Sequence, residues 1–355
     1  MSINRYKVAI VGTGAITATH VNAMRAIPDF HVAGILGRDY ERTLKVAAGL
    51  ELHAFKDYEE ILSDPDIKVI DIATSSNLHA DYGIKASQYH KNLIIEKPID
   101  TSPEKAAELI NLCERNGCLL EVIYQHRYDE NIQLIKDLIE RNILGKVNYG
   151  KFSCRLRRDL EYYRSDIDKC RGVLKNNAIH YIDLMIYLMG KEPLSSSGVI
   201  RKTRQELEVE DYAHVLLEFE DSTLFEVDIS TNVKKSLPTI MEIHGEKGSL
   251  VFWGNKIKYL SFDSSLCPLT GTAAHMKLYL FEKLKIPLRF NEGSHKHVFR
   301  NYLCSLQGKQ PVSVDGKTAL ASLKVVNEIY FNAEQHSRTN NIHTAGYKCT
   351  DELNE

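Results

Sequence analysis

The chain has 355 residues, 43% hydrophobic and 26% charged, with a net charge of −2. That length exceeds the roughly 250–300 residues at which a single core stops growing, so two domains are expected, and the near-neutral charge offers no global field for nucleic acid or an anionic membrane. No apolar run approaches the ~20 residues that cross a bilayer, the N-terminal residues carry no signal-like apolar stretch, and seven scattered cysteines with no Cys-x-x-Cys pair and no histidine at zinc spacing read as reduced, mostly buried thiols of a cytoplasmic protein without a metal set.

Over the first 125 residues apolar strands alternate with helical patterns, which predicts a parallel sheet built from βαβ units. Strands are expected at 7–11, 31–36, 69–73, 93–96 and 119–124, and helices over 16–27, 40–48 and 80–89. A further helix starts where Ser102 caps and Pro103 takes the first turn, and it ends at Gly117. The pattern then changes. Residues 131–140 form an amphipathic helix with Ile132, Ile135, Leu138 and Ile139 on one face. Strands follow one another after that: Phe225, Val227 and Ile229 alternate with Glu226, Asp228 and Ser230, which buries one face. Hairpins are expected around 220–222 and 245–248, and helices near 297–306 and 317–335. Residues 264–292 show no clear pattern, and the tail after Ser337 is polar.

Three features carry chemistry. The first is Gly12-Thr13-Gly14-Ala15-Ile16-Thr17, between the first strand and the helix it opens. Gly12 permits a tight turn and Gly14 lets backbone approach a pyrophosphate at the helix N-terminus, the dinucleotide-binding arrangement of a Rossmann domain. Thr17 stands where the fingerprint has its third glycine. At the end of the second strand, Gly37 fills the slot where an acid would meet the ribose of NAD, Arg38 suits a 2′-phosphate, and Asp39 restores an acid if the loop shifts. The cofactor is therefore expected to be NAD or NADP, with charge leaning toward NADP.

The second feature is Ile94-Ile95-Glu96-Lys97-Pro98, an apolar strand ending in Glu-Lys-Pro. Ligands of open α/β sheets bind outside the carboxyl ends of the strands. Pro98 biases Lys97 toward extended backbone, so the ammonium leaves the strand end in a defined direction. The third is a helix over 174–189, in which Asn176, His180 and Asp183 share a stripe while Ile179, Ile182 and Ile186 face inward. A histidine has an intrinsic pKa of ~6.5, suited to taking a hydroxyl proton near neutral pH. A lysine beside it stabilises the alkoxide as an ammonium, or acts as base itself if desolvated. Arg155, Arg157, Arg158, Arg164, Lys169 and Arg171 form a local basic segment, balanced between anion binding and a solvated surface; strand alternation is expected to send Arg155 and Arg157 to one face and Arg158 to the other.

Together with Ala73-Thr74-Ser75-Ser76-Asn77-Leu78-His79 and Gly172-Val173-Leu174-Lys175-Asn176-Asn177-Ala178-Ile179-His180-Tyr181-Ile182-Asp183, these motifs resemble the Gfo/Idh/MocA oxidoreductases over essentially the whole chain. The resemblance implies an α/β protein: an N-terminal Rossmann domain with a parallel sheet over 1–125, and a C-terminal α/β domain over 126–355 whose large, mostly antiparallel open sheet binds substrate and mediates homodimers or homotetramers. It implies Lys97, His180 and Asn176 as catalytic residues. Gly12, Thr13, Gly14, Ala15, Ile16, Arg38, Thr74, Ser75, Asn77, His79, Glu96, Lys97 and Gln125 are then expected at the cofactor. Arg127, Arg158, Tyr163 and Asn176 are expected at the substrate. Within the family, Tyr124-Gln125-His126-Arg127-Tyr128, Arg158-Asp159-Leu160-Glu161-Tyr162-Tyr163 and the asparagine at 176 resemble the nucleotide-sugar 3-dehydrogenases that act on UDP-N-acetylglucosaminuronate or UDP-N-acetylglucosamine. Ser75 replaces a usual proline, Cys170-Arg171 replace two glycines, and the stretch from Tyr163 to Gly172 is short. A sugar or nucleotide sugar is thus the expected partner, with no nucleic acid and no membrane. A cofactor-sensing protein on the same fold, an NAD-dependent glycoside hydrolase and a polyol or inositol dehydrogenase remain alternatives.

Overall fold

The computed structural model describes residues 5–164, 172–254, 256–262 and 294–339. The expectations for Lys169, Cys170-Arg171, the Arg164 side chain and residues 264–292 lie outside the described residues, as does the tail from 340. Contacts divide the chain into two units: 5–128 with 294–323, and 129–262 with 324–339.

In the first unit, strands β1 (Tyr6–Val11), β2 (Phe30–Leu36), β3 (His53–Ala54), β4 (Ile67–Ile72), β5 (Asn92–Glu96) and β6 (Leu120–Ile123) form one parallel sheet in the order β3-β2-β1-β4-β5-β6. The order reverses direction between β1 and β4, the switch point at which such sheets open a ligand crevice. The strands are apolar runs because both faces are covered; Val8 to Ile10, Val69, Ile70 and Leu93 to Ile95 are wholly buried. Helices α1 (Thr17–Arg25), α2 (Tyr40–Leu50), α3 (Tyr58–Ser63), α4 (His79–Gln88) and α5 (Pro103–Asn116) connect them. Ser102 caps α5 by accepting from the Lys105 amide at 3.2 Å, and Gly117 ends it at a φ of 65°. Neither β3 nor α3 was expected: two residues of strand carry no periodicity, and the six-residue helix is marked mainly by its Asp57 cap.

The unit is not continuous in sequence. Val298, Phe299 and Tyr302 of the Ser294–Leu306 helix join Val8, Ile10, Met24, Ile35 and Ile94 in its core. Val122 N–H donates to Val314 O at 2.9 Å, and the buried Glu121 carboxylate accepts from the amides of Ser313 and Val314 at 3.0 and 3.3 Å. A division at 125/126 leaves this returning segment in the other domain, because helical periodicity reveals a buried face without naming what covers it.

The second unit is built on a seven-stranded sheet of β7 (Val147–Arg155), β8 (Ser195–Arg201), β9 (Tyr212–Glu218), β10 (Leu224–Ser230), β11 (Leu237–Gly245), β12 (Gly248–Trp253) and β13 (Lys256–Phe262). Its order is β13-β12-β11-β7-β10-β9-β8, antiparallel except for the β7–β10 pair. Phe152, Val215, Leu217, Phe225, Val227, Ile243 and Leu250 line the buried face. Gly150 admits the Phe225 ring there: a Cβ would lie 2.0 Å from it. Strand β7 stops at Arg155, so the alternation expected through Arg158 does not hold. The amides of Leu156 and Arg158 instead donate to Ser230 O and Thr231 O at 2.9 and 3.2 Å.

Candidate active site

The first unit carries the turn. Gly12 has a φ of +141°, and a Cβ on it would sit 2.2 Å from Ala73 O. Only glycine fits both constraints. The Gly12 amide donates to Leu36 O at 2.7 Å and the Thr17 hydroxyl to Gly12 O at 3.1 Å, so the residue in the third-glycine slot ties the turn to the helix it opens. Gly14 differs: among the described residues, none beyond its chain neighbours comes within 4 Å of a Cβ built there. Helix α1 begins after Ile16, which has no side chain to cap it. An open backbone approach at an uncapped helix N-terminus is what a pyrophosphate requires. Arg38 is exposed. Asp39 is committed to capping α2, its carboxylate accepting from the Arg42 amide at 3.1 Å. Arg42 reaches back to donate to Thr13 O at 3.1 Å, placing a second guanidinium at the turn.

Thr74 and Ser75 are half-buried and Asn77 is exposed in the loop after β4. His79 is buried, its Nδ1 2.8 Å from Pro98 O and its Nε2 3.2 Å from Thr74 O. It therefore acts through the loops, joining the β4 end to the cis Lys97–Pro98 peptide. Buried Asp100 does the same from the other side, accepting from the amides of Ala80, Thr101 and Ser102 at 3.0, 2.7 and 2.9 Å.

Lys97 follows directly on β5, and Glu96 anchors it. One Glu96 oxygen accepts from the Lys97 amide at 3.1 Å, and the other lies 3.1 Å from His20 Nε2. His20, wholly buried on α1, reaches Asp71 on β4 with Nδ1 at 2.8 Å. Burial pushes the imidazole toward neutrality, but the charge and hydrogen bonds of Asp71 and then Glu96 overcome it and hold His20 well above its ordinary value. Burial likewise opposes ionisation of Glu96; the His20 hydrogen bond and charge, then Lys97 and His295, bring it well below the carboxylate range. An imidazolium between two carboxylates is the result. His295 Nε2 lies 3.9 Å from Glu96, and with His20 these ligand atoms fall within 4.8 Å of one another. Both His20 nitrogens already donate to carboxylates, so the group reads as an ion-paired cluster rather than a cation site.

Gln125 and Arg127 share the short 3-10 turn Gln125–Tyr128. Gln125 Oε1 is buried with no partner among the described residues, an acceptor that suits an amide-bearing ligand. Arg127 is buried with its guanidinium 6.0 Å from the centre of the Tyr124 ring. The open Gly14 approach, the uncapped helix and this orphaned acceptor fit a bound dinucleotide.

In the second unit, residues 174–178 form a π-helical turn before the helix Ile179–Met189, where one regular helix was expected. Asn176 lies in that turn and His180 just after it, both half-buried; Asp183 is wholly buried with Ile179 and Ile182. Asn176 Nδ2 donates to the Tyr162 hydroxyl at 2.5 Å, and the Arg158 guanidinium lies 4.9 Å from the centre of the same ring. Tyr163 bonds the Thr231 hydroxyl, and burial pushes its phenol up. Arg204 packs 5.2 Å from the Tyr163 ring centre, donates to buried Asp211 at 2.9 Å and to Arg158 O at 2.8 Å. Asn176, Tyr162, Tyr163, Arg158 and Arg204 are thus one cluster. Arg155 is taken by an ion pair with Asp228, and Arg157 is exposed.

Residues 6–124 match the family model for the NAD-binding Rossmann domain of the Gfo/Idh/MocA oxidoreductases, and residues 136–340 match the model for their C-terminal alpha/beta domain. The chain belongs to the Gfo/Idh/MocA oxidoreductase family. It is 23% identical over 325 residues to the myo-inositol 2-dehydrogenase of Thermotoga maritima, covering 88% of this chain and 93% of that one. The fold superposes on the WlbA dehydrogenase of Bordetella pertussis, solved with NADH and UDP-GlcNAcA, at a TM-score of 0.81 with 22% identity over 94% of this chain and 96% of that one. It also matches the UDP-N-acetylglucosamine 3-dehydrogenase GnnA of Acidithiobacillus ferrooxidans at 0.76, with 19% identity over 93% and 98%.

For a Gfo/Idh/MocA protein, the sequence reading missed Arg42, His20, Asp71, His295 and Arg204 as contributors. His20 carried a faint signal, standing three residues beyond Thr17 on the helix that the turn opens. Asp71 was hidden inside an apolar run, and His295 comes from the segment that returns to the first unit late in the chain.

Proposed function

We propose that this protein is an NAD(P)-dependent dehydrogenase that oxidises a secondary hydroxyl, at C3, of a sugar or nucleotide sugar. The observation that carries the reading is the pairing of chemistries in the two units. The first combines an open phosphate turn with Lys97 anchored at a strand end. The second combines Asn176, His180 and an aromatic-arginine cluster suited to a sugar and an anionic group. The structural likeness to WlbA, solved with UDP-GlcNAcA, and to the UDP-N-acetylglucosamine 3-dehydrogenase GnnA supports a nucleotide sugar and the C3 position.

A bound nicotinamide supplies the hydride acceptor. His180 takes the hydroxyl proton, a contribution of ~10²–10⁴-fold for a well-matched base. The Lys97 ammonium is suited to donate to a substrate oxygen and favour its alkoxide. Asn176 is suited to hold a hydroxyl and, being neutral, adds no anion to the site. Arg38 and Arg42 favour the 2′-phosphate of NADP, since Asp39 is spent on its helix cap. One specific observation favours a second substrate class: the inositol dehydrogenase relative aligns over nearly the full chain.

The test is a panel of nucleotide sugars, hexoses and inositols, each offered with NAD and with NADP and followed by reduced-cofactor absorbance. Turnover on a nucleotide sugar is expected, with Lys97→Ala and His180→Ala each losing most of it, on the ~10²–10⁴-fold scale, while binding cofactor normally. Turnover confined to inositols would move the assignment to that class, near-normal turnover in either variant would remove that residue's role, and cofactor binding without turnover on any member would leave a sensing protein.

A further inference from the structure

The turn that bears Asn176 is held by an acid from another part of the second unit. Glu210, 1% exposed, lies at the N-terminal end of the π turn. Its backbone carbonyl accepts from the Val173 amide at 3.0 Å, and its Oε1 accepts from the Leu174 amide at 3.0 Å. These are two of the amides that a helix start leaves without internal partners, here supplied from outside the helix because Val173 has no capping side chain. The same Oε1 accepts from the Tyr330 hydroxyl at 2.6 Å. Lys175, 6% exposed within the turn, sets its ammonium 5.6 Å from the centre of the Tyr330 ring. Gly172 completes the fit, since a Cβ there would stand 2.1 Å from both Glu210 carboxylate oxygens. Only a residue without a side chain lets the carboxylate reach the helix end.

A π turn is rare and concentrates at functional positions. It widens the backbone locally and so resets the direction in which the residues on it point. An ordinary α-helical start would leave Asn176 and His180 at a different angle to each other.

We propose that Glu210 is a positioning residue for the dehydrogenase reaction: through Leu174 and with Tyr330 as its brace, it fixes the π turn that aims Asn176 and His180. The inference rests on the assignment of those two residues under Proposed function. A base displaced by about 1 Å costs roughly 10²-fold in rate, so the anchoring of this one turn matters to kcat rather than to cofactor binding.

Glu210→Ala, Glu210→Gln and Tyr330→Phe are made in the full chain. Three quantities are measured: kcat and KM, the dinucleotide Kd, and the His180 imidazole titration followed by NMR without substrate. Glu210→Ala is expected to lower kcat about 10²-fold, to leave the dinucleotide Kd unchanged, and to displace the His180 titration. Glu210→Gln, whose carboxamide oxygen still accepts from Leu174 and Tyr330, is expected to recover most of the loss. Tyr330→Phe removes one hydrogen bond and covers the case in which Glu210→Ala fails to fold; it is expected to shift the His180 titration in the same direction by less. Wild-type kcat with an unmoved His180 titration in Glu210→Ala or, should that variant not fold, in Tyr330→Phe overturns the proposal. So does a Glu210→Gln variant as slow as Glu210→Ala. Full activity in His180→Ala would instead overturn the functional reading, while the NMR titration still reports whether Glu210 sets the turn.

Discussion

His20 is the residue on which the Lys97 end of the first sheet balances, and it is fully buried between two carboxylates. Removing it takes the imidazolium from between Asp71 and Glu96, a loss of about 3–5 kcal/mol when a buried pair is broken. Its pKa is raised, to about 10. The stabilisation it gives is therefore complete below the unfolded-state value of ~6.5 and drains away as pH climbs through the folded value. Glu96 has the opposite sign: lowered to about 2, it contributes above its unfolded value and loses that contribution only in strong acid. Urea unfolding of wild type and His20→Phe should show a gap that stays wide from mildly acidic through neutral pH and narrows toward the alkaline end. A gap that widens with rising pH would mean the imidazole is neutral in the folded protein. Residues of this kind were poorly legible in the sequence. Lys97 and His180 stood out because their neighbours were unusual, a proline after a strand and an asparagine four residues back. Asp71, wholly buried within Ile67–Ile72, had nothing in its surroundings to mark it except that a charge there needs a partner.

Elements were read better than their ends. The five long strands of the first sheet fall within two residues of their expected bounds, because an apolar run between glycine or proline signals leaves little freedom. The π turn escaped for a plain reason: helical periodicity cannot tell a 3.6-residue turn from a wider one over five residues. The two glycines of the phosphate turn also look alike in sequence and differ in space. Gly12 is hemmed in by Ala73 O, whereas Gly14 faces open room. Gly12→Ala should therefore damage the fold itself, lowering the melting temperature. Gly14→Ala should leave the melting temperature of the cofactor-free protein intact and weaken dinucleotide binding, because the added methyl occupies the space the pyrophosphate needs. Equal dinucleotide affinity in Gly14→Ala and wild type would place the phosphates elsewhere.

At the scale of the molecule, one face of the second sheet is left partly exposed by the described residues. Leu216, Ile240 and Val251 are half-buried on it, Trp253 is 47% exposed, and Lys151–Glu226 and Arg155–Asp228 ion pairs run across it. The open-sheet pairing implied by the family resemblance would cover this face. Trp253 is the sole tryptophan in the chain, so its fluorescence reports on the face directly. If two sheets pair, emission lies to the blue and moves red on dilution, as light scattering falls toward one chain. Red emission independent of concentration, with a monomer mass, would remove the sheet as an oligomer interface. None of the helices among the described residues is long and apolar enough to cross a membrane.

The late return of residues 294–323 to the first unit sets an order on biogenesis. A growing chain emits β1 to β6 first, yet Val298, Phe299, Tyr302 and the amides that satisfy Glu121 follow about 170–190 residues later. At ~5–20 residues per second, the intervening stretch takes roughly 10–40 s to translate. During that wait the first unit lacks the Ser294–Leu306 helix that packs into its core, and the Glu121 carboxyl lacks the Ser313 and Val314 amides. The first unit therefore completes its core only once residues 294–323 have been made.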